Sequence, residues 1–198
     1  MAYFSIDHFR KNVPGIARAT LFDVKVTFPH VSGLFDTEVF AFTCKTASIP
    51  SSTFGKIEVP YMGRKIYFAG DRQYNEWNTT VIIDNDWTSY KNIYKWHQMM
   101  NSSRYNVSTF GQNNSYDMNF YKGIAEITAW SQDGVTPKLT MRLDGFFPTD
   151  MQEVQMDWSN VDATADLQVV WSYDFSELIN GEELGYRSID RSPYDISR

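Results

Sequence analysis

The chain has 198 residues, a formal net charge of -6, 42% hydrophobic and 16% aromatic residues, which fits one domain with appendages better than two full domains. The acidic balance argues against a protein that grips nucleic-acid backbone, since that needs a basic surface. The single Cys44 excludes an internal disulfide framework and suits a reducing cytoplasm; the opening Met1 to Gly15 does not read as a signal peptide, and no apolar stretch approaches the roughly 20 residues of a membrane span.

Residues 1–19 are mixed and contain Pro14-Gly15, so they read as an N-terminal arm. Leu21–Phe28 alternates strictly, with Phe22, Val24, Val26 and Phe28 facing one way and Asp23, Lys25 and Thr27 the other, as in a half-buried strand. After a turn at Pro29–Gly33, Glu38–Cys44 is a second strand. Ala47–Gly63, with Pro50, Gly55, Pro60 and Gly63 around the strand-like Lys56–Val59, reads as a long loop or protruding hairpin. Lys65–Ala69 and Trp77–Asp84 are the next strands. One helix is expected over Trp87–Asn101, with Asp86 as its N-cap and Trp87, Tyr90, Ile93, Tyr94, His97 and Met100 at helical spacing. Asn101–Asn119 is rich in Asn and Ser and reads as an exposed insertion. Tyr121–Trp130 and Leu139–Phe147 form a hairpin around Ser131–Pro137, where Asp133-Gly134 signals a tight turn. Met151–Trp158 and Leu167–Phe175 complete the strands, and Ser176–Arg198 reads as an arm or tail. The expected fold is mainly β, an antiparallel barrel or sandwich with one helix at about 87–101.

Chemistry is sparse. His8, His30 and His97 lie far apart without metal-ligand spacing, and His97 reads as an ordinary helix residue. Cys44 lies on an apolar strand face and reads as a buried, inert thiol. Asp84 and Asp86 lack the Gly and distal Glu of a calcium loop, and Asp144 and Asp150 read as structural carboxylates, not a glycosidase pair. No catalytic residue, metal site or cofactor is expected.

Two stretches carry a resemblance. The first runs from Cys44 to Trp77: C-K-T-A-S-I-P, then K-I-E-V-P-Y-M-G-R-K-I-Y-F-A-G-D-R, then Y-N-E-W. The second is G-F-F-P-T-D-M-Q-E-V-Q-M-D-W, from Gly145 to Trp158. Both resemble the tail tube proteins of contractile, T-even-like bacteriophages, over roughly residues 20–175. The Asn101–Asn119 insertion and the tail beyond Ser176 depart from the compact family pattern. The resemblance implies a tube domain at 20–175 between the two arms. It further implies hexameric rings stacking into a tube, each subunit lending about four strands to an inner barrel. Twenty-four strands at ~4.8 Å spacing and ~40° tilt give a backbone diameter of roughly 48 Å, leaving space for a DNA duplex. The implied partners are further copies of the chain, sheath, baseplate and tail-terminator proteins, and double-stranded DNA that passes without tight binding. The implied location is the virion tail, assembled in the host bacterial cytoplasm.

Within that reading, Ser48, Ile49, Pro50, Ser51, Phe54, Lys56 and Val59 belong to a ring-stacking loop. Arg64, Lys65, Asp71 and Arg72 form a charge block that sets register between subunits, or else a solvated strand edge. Glu126, Thr128, Thr140, Arg142 and Asp144 share the polar face of their strands and are assigned to the channel wall, unless those strands belong to an outer layer. Other readings are the tube of a related secretion or injection machine, and a tube-end or baseplate cap. Outside the class stands a β-sandwich carbohydrate-binding module.

Overall fold

The computed structural model describes residues 16–29, 43–105, 120–159 and 163–179, with the isolated positions 6, 7, 11 and 161. Most of the N-terminal arm, the expected strand before Thr43, the insertion from 106 to 119 and the tail from 180 onward lie outside them. In chain order the elements are β1 (Phe22–Thr27), β2 (Cys44–Ala47), β3 (Ser52–Tyr61), β4 (Arg64–Tyr74), β5 (Trp77–Ile82), α1 (Thr88–Met100), β6 (Gly123–Trp130), β7 (Pro137–Met151), β8 (Asp166–Ser172) and β9 (Phe175–Leu178).

All strand pairs are antiparallel, in the order β1-β6-β7-β8-β5-β2, with β9 on β7 and β3-β4 as a separate ribbon. The 15-residue β7 serves two layers. Its first part pairs with β6 and β9, and its last part pairs with β8. The bend falls at Gly145, whose φ of 68° is left-handed and where a side chain would collide with the Asp174 carboxylate. One layer is therefore β1-β6-β7-β9 and the other β2-β5-β8 with the end of β7.

The core lies between these layers because strand alternation directs one apolar set inward from each. Val24, Val26, Ala125, Ile127 and Leu143 meet Trp77, Val81, Leu167, Val169 and Trp171. Trp96 from α1 and Phe146 join them: Phe146 stacks on Trp171 at 4.4 Å between centroids, and Trp96 lies 5.8 Å from Trp171. Burial of an indole leaves its N–H in need of an acceptor. Trp171 Nε1 donates to Thr79 Oγ1 at 2.8 Å, Trp96 to the Tyr121 carbonyl at 2.7 Å, and Trp77 to the Ser48 carbonyl at 2.6 Å.

Several local expectations change. The segment Ala47–Gly63 is the hairpin alternative, not a loop: β3 and β4 run ten and eleven residues around a two-residue turn, Met62-Gly63, with φ of 44° and 78°. Positive φ at both positions is the twist-matched hairpin geometry. Gly55 and Gly70 look like breaks in the sequence, yet they face each other at a bulge where the backbones approach closely. Asp86 is not the N-cap: that position is Trp87, which makes no side-chain cap bond, and Asp84 Oδ1 instead accepts the amides of Thr88 at 2.8 Å and Ser89 at 3.4 Å. Burial pushes the Asp84 carboxyl up, but these bonds and that of the Thr88 hydroxyl outweigh it and hold the group below its ordinary range. The expected strand Met151–Trp158 ends at Met151: the last contact with β8 is the Gln152 amide donating to the Gln168 carbonyl at 2.9 Å, and no described strand pairs with residues 153–157. Leu167–Phe175 divides at a turn, and Ser176–Leu178, expected in an arm, completes β9.

The helix face expected from spacing is partly the buried one, since Ile93 lies in the core and Tyr90 and Met100 pack against it. Its buried residues are Ser89, Asn92, Ile93 and Trp96. Trp87, Tyr90, Tyr94, His97 and Met100 line an open cleft of about 970 Å³ against the end of β7 and Met156. Asn92 and Ser89 hid the true core face from a hydrophobicity pattern.

Candidate assembly surfaces

Two surfaces of this fold have no partner among the described residues. The first is the outer face of the β1-β6-β7-β9 layer. Pairing sets Glu126 opposite Arg142, Thr128 opposite Thr140, and Ile124 opposite Asp144. Cross-strand partners share a face, so Glu126, Thr128, Thr140, Arg142 and Asp144 stand together, away from the core. The guanidinium of Arg142 donates to Asp144 Oδ1 from Nε at 3.1 Å and from Nη2 at 2.9 Å. That bond, the Asp144 charge, and the Glu126 and Glu177 carboxylates together hold the Arg142 proton more firmly than usual. Thr128 and Thr140 approach at 3.5 Å between hydroxyls, and Thr140 is buried.

Among the described residues neither end of this layer is paired. β1 hydrogen-bonds only to β6, and β9 only to β7. An unpaired strand edge exposes a row of amides and carbonyls that another strand can take up. Lys25 and Glu177 belong to the same polar face, opposite Glu126 and Arg142 respectively. Sequence reasoning missed both. Lys25 already stood on the polar side of an alternating strand, but Glu177 carried no signal because four residues are too few to show a period.

The second surface is the β3–β4 hairpin, every residue of which is exposed or half-exposed. Its strands pair only with each other. Toward the tip, cross-strand pairs divide it into two faces. Tyr61, Val59 and Ile57 stand with Ile66 and Phe68 on one side; Lys56, Glu58, Lys65 and Tyr67 stand on the other. Ile57 and Phe68 are 55% and 56% exposed. A two-stranded ribbon is marginal alone in water, and an apolar face of this extent on a monomer marks a contact surface.

The residues singled out from the sequence separate along this hairpin. Ser48, Ile49, Pro50 and Ser51 form its root. The Ser48 carbonyl holds the Trp77 indole, and the Ser51 carbonyl accepts the Asn75 amide at 3.2 Å. Phe54, Lys56 and Val59 lie on the projecting strand. In the charge block, Lys65 pairs within the hairpin with Glu58 at 2.8 Å, and Arg72 lies over the Phe54 ring at 4.7 Å. Arg64 sits opposite Tyr61, and Arg64 and Asp71 join no ion pair among the described residues.

Reactive groups are few. Burial, then the Asp23 charge, pushes the Cys44 thiol up to about 12, so it is no nucleophile at neutral pH. His97 Nε2 is buried without a hydrogen-bond partner, and burial lowers its pKa. Among the described residues no cluster of three or more His, Cys, Asp or Glu is placed to hold a metal, and no helix is long and apolar enough to cross a membrane.

Comparison with known proteins gives a consistent picture. A family model described as phage tail tube protein matches residues 17–175. The chain is 28% identical over 161 residues to the tail tube protein gp19 of Enterobacteria phage T4, covering 81% of this chain and 91% of that protein. It is 25% identical over 150 residues to the tail tube protein of Serratia phage KSP90, covering 75% and 81%. In structure it is similar to a chain of the tube-terminating cap of the anti-feeding prophage, with a TM-score of 0.60, 16% identity and coverage of 85% and 94%. It is also similar to a chain of the sheath–tube complex of an extracellular contractile injection system, with a TM-score of 0.59, 14% identity and coverage of 88% and 97%.

Proposed function

We propose, from the premise that this chain belongs to the phage tail tube protein family, that it forms hexameric rings which stack into the inner tube of a contractile virion tail. DNA passes through that tube without being gripped. One observation carries the reading: a four-stranded antiparallel layer, polar on its outer face, has at each end a strand that no other described strand pairs with. Such a layer is an arc of a larger barrel, because a neighbour added at either edge continues the same hydrogen-bond ladder.

In this assembly Glu126, Thr128, Thr140, Arg142 and Asp144 line the channel. A chain of net charge -6 offers no surplus of cations to displace the counterions of a duplex, so passing DNA is not retained. The hairpin reaches the next ring and covers its apolar face there. Arg64, Lys65, Asp71 and Arg72 fix the register of that contact, where misplaced like charges are costly. Sheath, baseplate and tail-terminator proteins meet the outside and the ends of the tube.

The test is negative-stain microscopy of the purified full chain together with light scattering. Rings of six, and smooth hollow tubes at higher concentration without added metal, are expected. A chain that stays monomeric at high concentration, and that lies outside the tail in mature particles, overturns the reading.

A further inference from the structure

Strand pairing produces a row of alternating charge across the polar face. Lys25 on β1 is opposite Glu126 on β6, Glu126 is opposite Arg142 on β7, and Arg142 is opposite Glu177 on β9. The signs run plus, minus, plus, minus from one edge of the layer to the other. Each interior member has an opposite charge on both sides. The two end members, Lys25 and Glu177, have one each, and both are exposed.

The edges are also compatible in direction. Because every step is antiparallel, β1 and β7 run one way and β6 and β9 the other. The β9 edge of one copy therefore meets the β1 edge of another as an antiparallel pair, continuing the layer without a break. Among registers that keep the polar sides together, one sets Glu177 opposite Lys25. Moving by two residues sets it against Thr27, which offers no charge, or against Asp23, which repels it. A slip by one residue turns the polar face toward the core and is excluded by burial. The favoured register also sets Leu178, which is 43% exposed in the single chain, opposite the core-facing Val24.

We infer that Lys25 and Glu177 are the two halves of one contact between copies of this chain, β9 of one lying on β1 of the next, so that the alternating charge row closes on itself around the ring. The inference rests on the ring reading above. The row itself sums to zero, and Asp23 and Asp144 on the same face add only negative charge, so the lining presents no cationic belt that would hold DNA. It also acts as a register key. A cross-strand charge pair contributes little alone, but a closed ring repeats it at each boundary, and a reversed charge is penalised at each.

The experiment uses the full chain in three charge forms. Lys25→Glu alone, and Glu177→Lys alone, should raise the concentration needed for ring assembly by on the order of tenfold or abolish rings, while circular dichroism stays that of the wild type and Tm falls slightly, because each change also sets a like charge opposite Glu126 or Arg142 within the chain. The double exchange K25E/E177K should restore assembly. A second arm reads position directly: the pair K25C/E177C, oxidised in assembled rings, should give a ladder of cross-linked subunits on a non-reducing gel, and neither single cysteine variant should. Wild-type rings accompanied by no rescue in the double exchange, and no ladder from the cysteine pair, overturn this contact and leave the ring reading intact. A wild-type chain that forms no rings overturns both.

Discussion

The sandwich core and the β3–β4 hairpin are made of similar material, alternating strands rich in aromatic and branched residues, yet they meet opposite fates. In the core, Trp77, Trp96, Trp171 and Phe146 are almost wholly buried, and each indole has an acceptor. In the hairpin, Ile57, Val59, Tyr61, Ile66 and Phe68 form a largely apolar face that no other described residue covers. The hydrophobic effect is blind to which molecule supplies the cover. The core is thus closed within the described residues of one chain, and the apolar face of the hairpin is left open by them. Stability and assembly should therefore separate by region.

The largest expected effect tests the core. Trp171→Ala removes the ring stacked on Phe146 and leaves Thr79 without its donor, so it should cost about 3–5 kcal/mol; urea unfolding followed by tryptophan fluorescence measures it. Wild-type stability in that variant would mean that the aromatic cluster is not what joins the layers.

The matching change in the hairpin should leave stability alone. Ile57→Asp with Phe68→Asp alters only exposed positions, so the unfolding free energy should move by no more than about 0.5 kcal/mol. Tubes, however, should be lost, with rings remaining by electron microscopy. Because Ser48 and Ser51 tie the root to Trp77, Asn75 and Tyr173, a deletion meant to remove stacking should begin after Phe54. Full-length tubes from the double aspartate variant would move ring stacking to another part of the chain.

A subtler change sharpens the contrast on the channel side. Thr128→Lys adds a cation to the polar face without touching the Arg142–Asp144 bond. Tubes should persist, and genome ejection should slow severalfold at low salt and recover as salt screens phosphate attraction. Unchanged ejection at low salt would place that face outside the channel.

The smallest effect concerns the β6–β7 turn. Asp133 accepts the Thr136 hydroxyl at 2.6 Å and the amides of Thr136 and Val135, each at 3.1 Å. The hydroxyl bond first, then the amides, hold its carboxyl down to about 2, from an ordinary value of 3.8. A depressed folded-state pKa contributes stability above about 3.8 that disappears as pH falls through about 2. Between pH 5 and pH 2, Tm should therefore fall slightly less in Asp133→Asn than in the wild type. An identical fall in both would show that the turn bonds do not favour the ionised form.

Much of the layer architecture was legible because alternation has a period that a strand of six or more residues reveals. Val24, Val26 and Phe28 share one side of an alternating strand in the sequence, and all three are buried. Glu126, Arg142 and Asp144 were placed on one polar face by the same logic, and their pairing sets them together. The helix was legible in extent and only partly in facing. Its conspicuous aromatics line a cleft, while Asn92 and Ser89 accompany Ile93 and Trp96 inward. The carboxylate that bonds the first helical amides was misread by two residues because Asp84 reaches forward over the turn to Thr88 and Ser89, a contact that spacing alone does not distinguish from Asp86.

The sequence by itself determined the class of the chain, the apolar side of β1, the polar side of β6 and the first part of β7, the tight-turn signal at Asp133-Gly134 and the motif that carries the family resemblance, since all of these are local or periodic. Only the tertiary structure decided that β7 bends at Gly145 to serve two layers, that β9 exists at all, and that Lys25 and Glu177 end one continuous row of charge. Lys25 and Glu177 are more than 150 positions apart. Their relation arises from the pairing of four strands in space, and no pattern along the chain records it.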